Sequence, residues 1–61
     1  SIRIEPELRE ALWLIYFEEM SYAQAAQVLG VKEKRVSRLL VRGKQQMRKE
    51  LEKEGVSNAY E

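Results

Sequence analysis

S-Y-A-Q-A-A-Q-V-L-G-V-K-E-K-R-V-S-R-L-L-V-R-G-K, residues 21–44 of a 61-residue chain, decides the fold. Ser21 followed three residues later by Gln24 is a capping-box pattern, and Met20 just before it is placed to pack as a hydrophobic staple. A helix therefore starts at Tyr22. It ends at Gly30, because glycine takes the left-handed conformation that closes helices without a steric cost. The next helix opens after Val31, near Lys32 or Glu33, and nothing interrupts it before Gly55. Ala26, Gly30 and Val36 stand in the pattern A-x3-G-x5-V, with Ala25, Leu29, Val31 and Leu39 apolar around it. Each has a steric reason: Ala26 lets two helices cross closely, Gly30 makes the turn, and Val31 and Val36 fill the angle between the helices. A short helix, a glycine turn and a long helix make a helix-turn-helix.

Working outward, Pro6 suits the first position of a further helix, and Glu7 and Glu10 favour its positive end. Leu8, Ala11, Leu12 and Ile15 form its apolar stripe, while Trp13 and Phe17 lie one turn apart on nearly the opposite side. The reading is all-α: one small helix-turn-helix domain of three helices, or four, over about 6–18, 22–29 and 33–53. The tail, 55–61, has no periodicity and is expected to fray. On a wheel, Val36, Leu40, Gly43, Met47 and Leu51 of the long helix fall within about 80° of one another. Arg35, Arg38, Arg42 and Lys49 cluster on another side, with Lys34 and Gln45 alongside. Glycine in mid-helix costs about 1 kcal/mol relative to alanine, which a close approach of the first helix at Gly43 would justify.

The composition, 44% hydrophobic and 34% charged, is globular rather than disordered. The chain holds neither cysteine nor histidine, which excludes disulfides, thiol nucleophiles, imidazole catalysis and the usual zinc sites. No apolar run reaches the roughly 20 residues of a membrane span. An enzyme is not expected, nor a cofactor, a small-molecule substrate or a membrane partner. The first residue is Ser1 rather than methionine, as expected of a fragment. Net charge is +1, but its distribution is uneven. Residues 1–30 set Arg3 and Arg9 against Glu5, Glu7, Glu10, Glu18 and Glu19, net −3. Residues 31–50 set Lys32, Lys34, Arg35, Arg38, Arg42, Lys44, Arg48 and Lys49 against Glu33 and Glu50, net +6. A basic block between acidic ones points to a polyanion at one face, though a solvated helix face has the same composition.

The stretches P-E-L-R-E-A-L-W-L (6–14), S-Y-A-Q-A-A-Q-V-L-G-V (21–31) and V-S-R-L-L-V-R-G-K-Q-Q-M (36–47) together resemble the promoter-recognition domain, region 4, of bacterial sigma-70 family factors, especially the extracytoplasmic-function group. The resemblance covers about three-quarters of the chain. It implies a cytoplasmic protein of transcription initiation whose last helix enters the major groove of the −35 element in double-stranded promoter DNA. It also implies contact with the RNA polymerase β flap and, in some members, masking by an anti-sigma factor. Nothing upstream resembles the part of a sigma factor that binds core polymerase and melts the −10 element, so the fragment is not expected to initiate transcription alone. Lys32 stands where the family has a Ser or Thr cap, and Val41 where polar or basic residues are common, which counts against a polar base contact there.

Lys34, Arg35 and Arg38 occupy the first turns of the long helix and are the candidates for base reading, since arginine bonds guanine O6 and N7 bidentately. Phosphate contact is the other role open to them. Lys32, Ser37, Arg42 and Lys44 flank that centre as phosphate contacts. Tyr22 and Gln24, opening the preceding helix, are further backbone candidates, although Tyr22 suits a structural role equally. Trp13 and Phe17 are the candidate protein-binding surface. The alternative is that they pack against the long helix or an upstream domain. Two other functions remain open: a helix-turn-helix of another transcription regulator, and a sigma-like domain that binds polymerase or an anti-sigma factor without reading DNA.

Overall fold

The computed structural model describes residues 3–55, so the expectation for the tail beyond Gly55 lies outside the described residues. Three helices make the domain, and there is no strand among the described residues: α1, Pro6–Leu12, continuing as a π turn over Trp13–Phe17; α2, Tyr22–Leu29; and α3, Glu33–Lys53. α1 and α2 both pack on α3, and α2 also touches the π turn.

The start of α1 uses Pro6 within its first turn and Glu5 as a cap residue whose side chain makes no cap bond. The Glu5 carboxylate is engaged elsewhere, accepting from Gln46 Nε2 of α3 at 2.8 Å. After Leu12 the hydrogen bonds lengthen to the i→i+5 pattern, with Glu18 N–H donating to the Trp13 carbonyl at 3.0 Å. Glu19 then takes a left-handed φ of 54° and Met20 N–H donates back to the Leu14 carbonyl at 3.0 Å, closing the turn into α2. No glycine or asparagine marks that reversal, and the sequence carries no other signal for it.

Both termini of α2 follow from local chemistry. Ser21 Oγ accepts from Gln24 N–H at 3.1 Å while Gln24 Oε1 accepts from Ser21 N–H at 2.9 Å. At the other end Gly30 has φ 71°, its N–H reaches the Gln27 carbonyl, and Val31 N–H reaches the Ala26 carbonyl at 2.9 Å. That pair of bonds is a Schellman motif. α3 begins at Lys32 with no side-chain cap bond, so about 1 kcal/mol of capping is absent.

The core consists of Ile4, Leu8, Ala11, Leu14, Ala25, Ala26, Val36, Leu39 and Leu40. Leu12 and Ile15, expected in the stripe of α1, are half-buried, and Leu14 is buried because α2 covers the side of the π turn that a simple wheel leaves to solvent. Ala25 and Ala26 are both buried, as a tight crossing requires. Gly43 is also justified. A Cβ there would sit 3.1 Å from Leu12 Cδ1, so glycine lets α1 lie close to α3. Past that point the expected packing stripe is only partly covered, with Leu51 half-buried. Met47 is 38% exposed, because the buried residues of α3 end at Gly43. Beyond it the approach to α3 comes from the segment before α1, where Glu5 N–H donates to Gln46 Oε1 at 3.3 Å and Arg3 N–H to Glu50 at 3.4 Å. Lys53 and that Arg3 N–H, both donating to the Glu50 carboxylate, hold its pKa below the ordinary value.

Candidate nucleic-acid interface

The buried residues of α3 fix which side of it is presented. At about 100° per residue, Lys34, Arg38, Val41 and Gln45 point roughly 150–170° away from the stripe of Val36, Leu39, Leu40 and Gly43. All four are exposed. Among the described residues Lys32, Lys34, Arg38 and Lys49 have no carboxylate within salt-bridge distance, so their charge is available to an external anion. Ser37 lies on the same outward side, toward the Lys44 flank.

Arg35 and Arg42 occupy the other flank and are not free. Arg35 Nη2 donates to Glu7 Oε1 at 3.0 Å, and Arg42 Nη2 lies 3.5 Å from Glu5 Oε2. The sequence places Glu7 only as a favourable charge at a helix start and gives Glu5 no role beyond its charge. Their reach across to α3 follows from the crossing of α1 over Gly43, which periodicity along one helix does not carry. These are half-exposed pairs, each worth about 0–1 kcal/mol, and phosphate competes with them readily.

Lys44 sits on the flank of the outward face opposite Arg35 and Arg42, with its amine 5.2 Å from the centre of the Tyr16 ring. The Tyr16 phenol, by hydrogen bonding first and charge second, raises the Lys44 pKa above the ordinary lysine value. The lysine is therefore cationic throughout the neutral range. At the start of α2, Tyr22 is 44% exposed, while Gln24 spends its Oε1 on the capping box and retains Nε2 as an outward donor.

A second surface lies beside Lys44. Trp13 and Phe17 stack with ring centres 4.5 Å apart and an interplanar angle of 18°, and Trp13 Nε1 donates to Glu18 Oε2 at 3.1 Å. Residues four apart lie one turn apart on the same side of a helix, which makes the two rings neighbours. They remain 51% and 70% exposed, so α3 does not bury them. With Pro6, Leu12, Tyr16 and Met47 they line an apolar groove edged by Arg9, Glu10 and Lys44.

The arrangement is thus a helix-turn-helix with a cationic outward face and a separate apolar groove on its first helix. A family model described as sigma-70, region 4, matches residues 3–47. The chain belongs to the sigma-70 region 4 family. The matched span contains every candidate DNA-contact residue, all three aromatic residues of the groove, and the Glu5 and Glu7 partners of α3. Sigma-70 region 4 is a DNA-binding, helix-turn-helix part of sigma factors acting in transcription initiation, with promoter DNA and RNA polymerase as partners, and it is not an enzyme family. No curated protein and no solved structure matches the chain. Among the described residues no helix is long and apolar enough to cross a membrane.

Proposed function

We propose that this sigma-70 region 4 domain reads the −35 promoter element through the outward face of α3, while its apolar groove holds a helix of the RNA polymerase β flap. The observation that carries the reading is the placement of Arg38 and Lys34 on the solvent side of α3, without a carboxylate partner among the described residues and in its first turns, directly after a tight glycine turn. A recognition helix enters the major groove with such residues leading. Arg38 and Lys34 are then base contacts, and Lys32, Ser37, Tyr22 and Gln24 meet phosphates around them. Arg35 and Arg42 join on exchanging Glu7 and Glu5 for DNA, with Arg35 a base contact and Arg42 a phosphate contact. Lys44 reaches phosphate from the groove side. The Ser-Tyr opening of α2 and the Arg-Gly of α3 support the extracytoplasmic-function group, and with it a cytoplasmic site of action. An anti-sigma helix is the second occupant that the stacked Trp13–Phe17 pair favours, since an exposed apolar groove suits an amphipathic helix.

The test is a comparison of two variants on duplexes selected by the chain from a random pool. Arg38→Ala should lose about 1–3 kcal/mol on the selected sequence and relax its preference at one base pair. Lys32→Ala should weaken selected and random duplexes alike and make the salt slope shallower by about one. Equal losses for Arg38→Ala on both kinds of duplex would remove its base-reading role.

A further inference from the structure

Val41 is the residue of the outward face whose chemistry phosphate binding leaves unexplained. It is 54% exposed, and its neighbours one turn before and after it on that face are Ser37, Arg38 and Gln45, with Lys34 two turns before. It lies roughly 150° from the buried stripe of α3, so it supports no core. A branched apolar side chain gains nothing from phosphate oxygens or from the polar edges of guanine, cytosine and adenine. The major groove presents one apolar group, the C5-methyl of thymine.

We infer that Val41 is a specificity-determining residue that packs against a thymine methyl, next to the base pair read by Arg38. The inference rests on the DNA reading proposed above and adds to it a base identity. Arg38 and Val41 are three residues apart, neighbours on one helix face, so they address adjacent positions of the groove rather than distant ones. The apolar character that counts against a polar base contact at this position is what an apolar contact needs. The two γ-methyl groups of Val41 are held by a branched side chain with a single preferred helical rotamer, which gives the contact a fixed direction.

The experiment replaces each thymine of the duplex selected by the 61-residue chain with deoxyuridine, which removes the 5-methyl and leaves every hydrogen-bonding group in place. For the parent chain one such replacement should weaken binding about fourfold, the equivalent of one buried methylene, about 0.8 kcal/mol. For Val41→Ala the same replacement should change affinity less than twofold, because the shorter side chain does not reach the methyl. Alanine is a better helix former than valine at this exposed position, so the variant folds, and circular dichroism with a thermal melt verifies it. If the chain prefers no duplex over random DNA, base reading itself falls and this inference with it. If selection succeeds but every deoxyuridine is silent, or the consensus lacks thymine, or Val41→Ala keeps the fourfold loss, the assignment of Val41 alone is overturned.

Discussion

Gly30 carries the turn between α2 and α3 at φ 71°, and nothing lies within 4 Å of the place a Cβ would occupy. The space is open, so the cost of a substitution there is conformational. A residue with a Cβ pays about 1–2 kcal/mol to sit in the left-handed region, and asparagine pays less because its side chain bonds locally. Gly30→Val should lower stability by about that amount or more, since valine is also branched, and Gly30→Asn should lower it less. Thermal denaturation of the two variants beside the parent decides it, and equal melting temperatures would mean the turn is not left-handed. Glu19 faces the same backbone cost at φ 54° without glycine's exemption. The π turn before it forces the reversal there, and the two returning bonds from Glu18 and Met20 hold it. Gly30 is therefore legible in the sequence and Glu19 is not, although the two residues do similar work.

Along α3, two flanks behave differently from the face between them. The Glu7–Arg35 and Glu5–Arg42 pairs neutralise one flank, leaving Arg38 and Lys34 as the dominant field at the centre. Glu7→Gln should release Arg35. Affinity for random duplex should rise at low salt, and the plot of log affinity against log salt should steepen by about one, because one more cation meets phosphate. Folding stability should move by less than about 1 kcal/mol, as is usual for an exposed pair. A salt titration with an unchanged slope would mean that Arg35 reaches DNA with Glu7 still in place. The helical periodicity of residues 33–53 gave the direction of this face, because one side had to be buried and Val36, Leu40 and Gly43 mark it. Periodicity carries nothing about which charges of another segment lie across the flank. That depends on the angle at which α1 crosses α3, set by the Leu12–Gly43 approach. The same limit explains Met47, which shares the wheel position of the core but lies past the end of the covering layer.

At the scale of the whole molecule the domain is two-sided: cations face outward on α3, and the aromatic groove opens between α1 with its π turn and the middle of α3. Lys44 alone among the candidate phosphate contacts borders both surfaces, its ammonium held over Tyr16. The stacked pair stays exposed because its rings cover each other rather than any part of the core, so the groove is formed before a partner arrives. Trp13 is the single tryptophan, and its fluorescence therefore reports on this surface. A peptide of the β flap helix should shift its emission to the blue as water leaves the indole, whereas duplex DNA should change it little. Phe17→Ala removes the partner ring of the stack and should weaken the peptide by about 1 kcal/mol or more, the loss expected of an aromatic anchor. DNA affinity of the same variant should hold within about 0.5 kcal/mol, because Phe17 lies in the groove and not on the outward face of α3, and separate sites act additively. Lys44→Ala provides the internal comparison, since only a residue bordering both surfaces should weaken peptide and DNA together. If DNA shifts the Trp13 emission as strongly as the peptide does, or Phe17→Ala lowers both affinities equally, the two surfaces are one, and the groove lies on the DNA side of the domain.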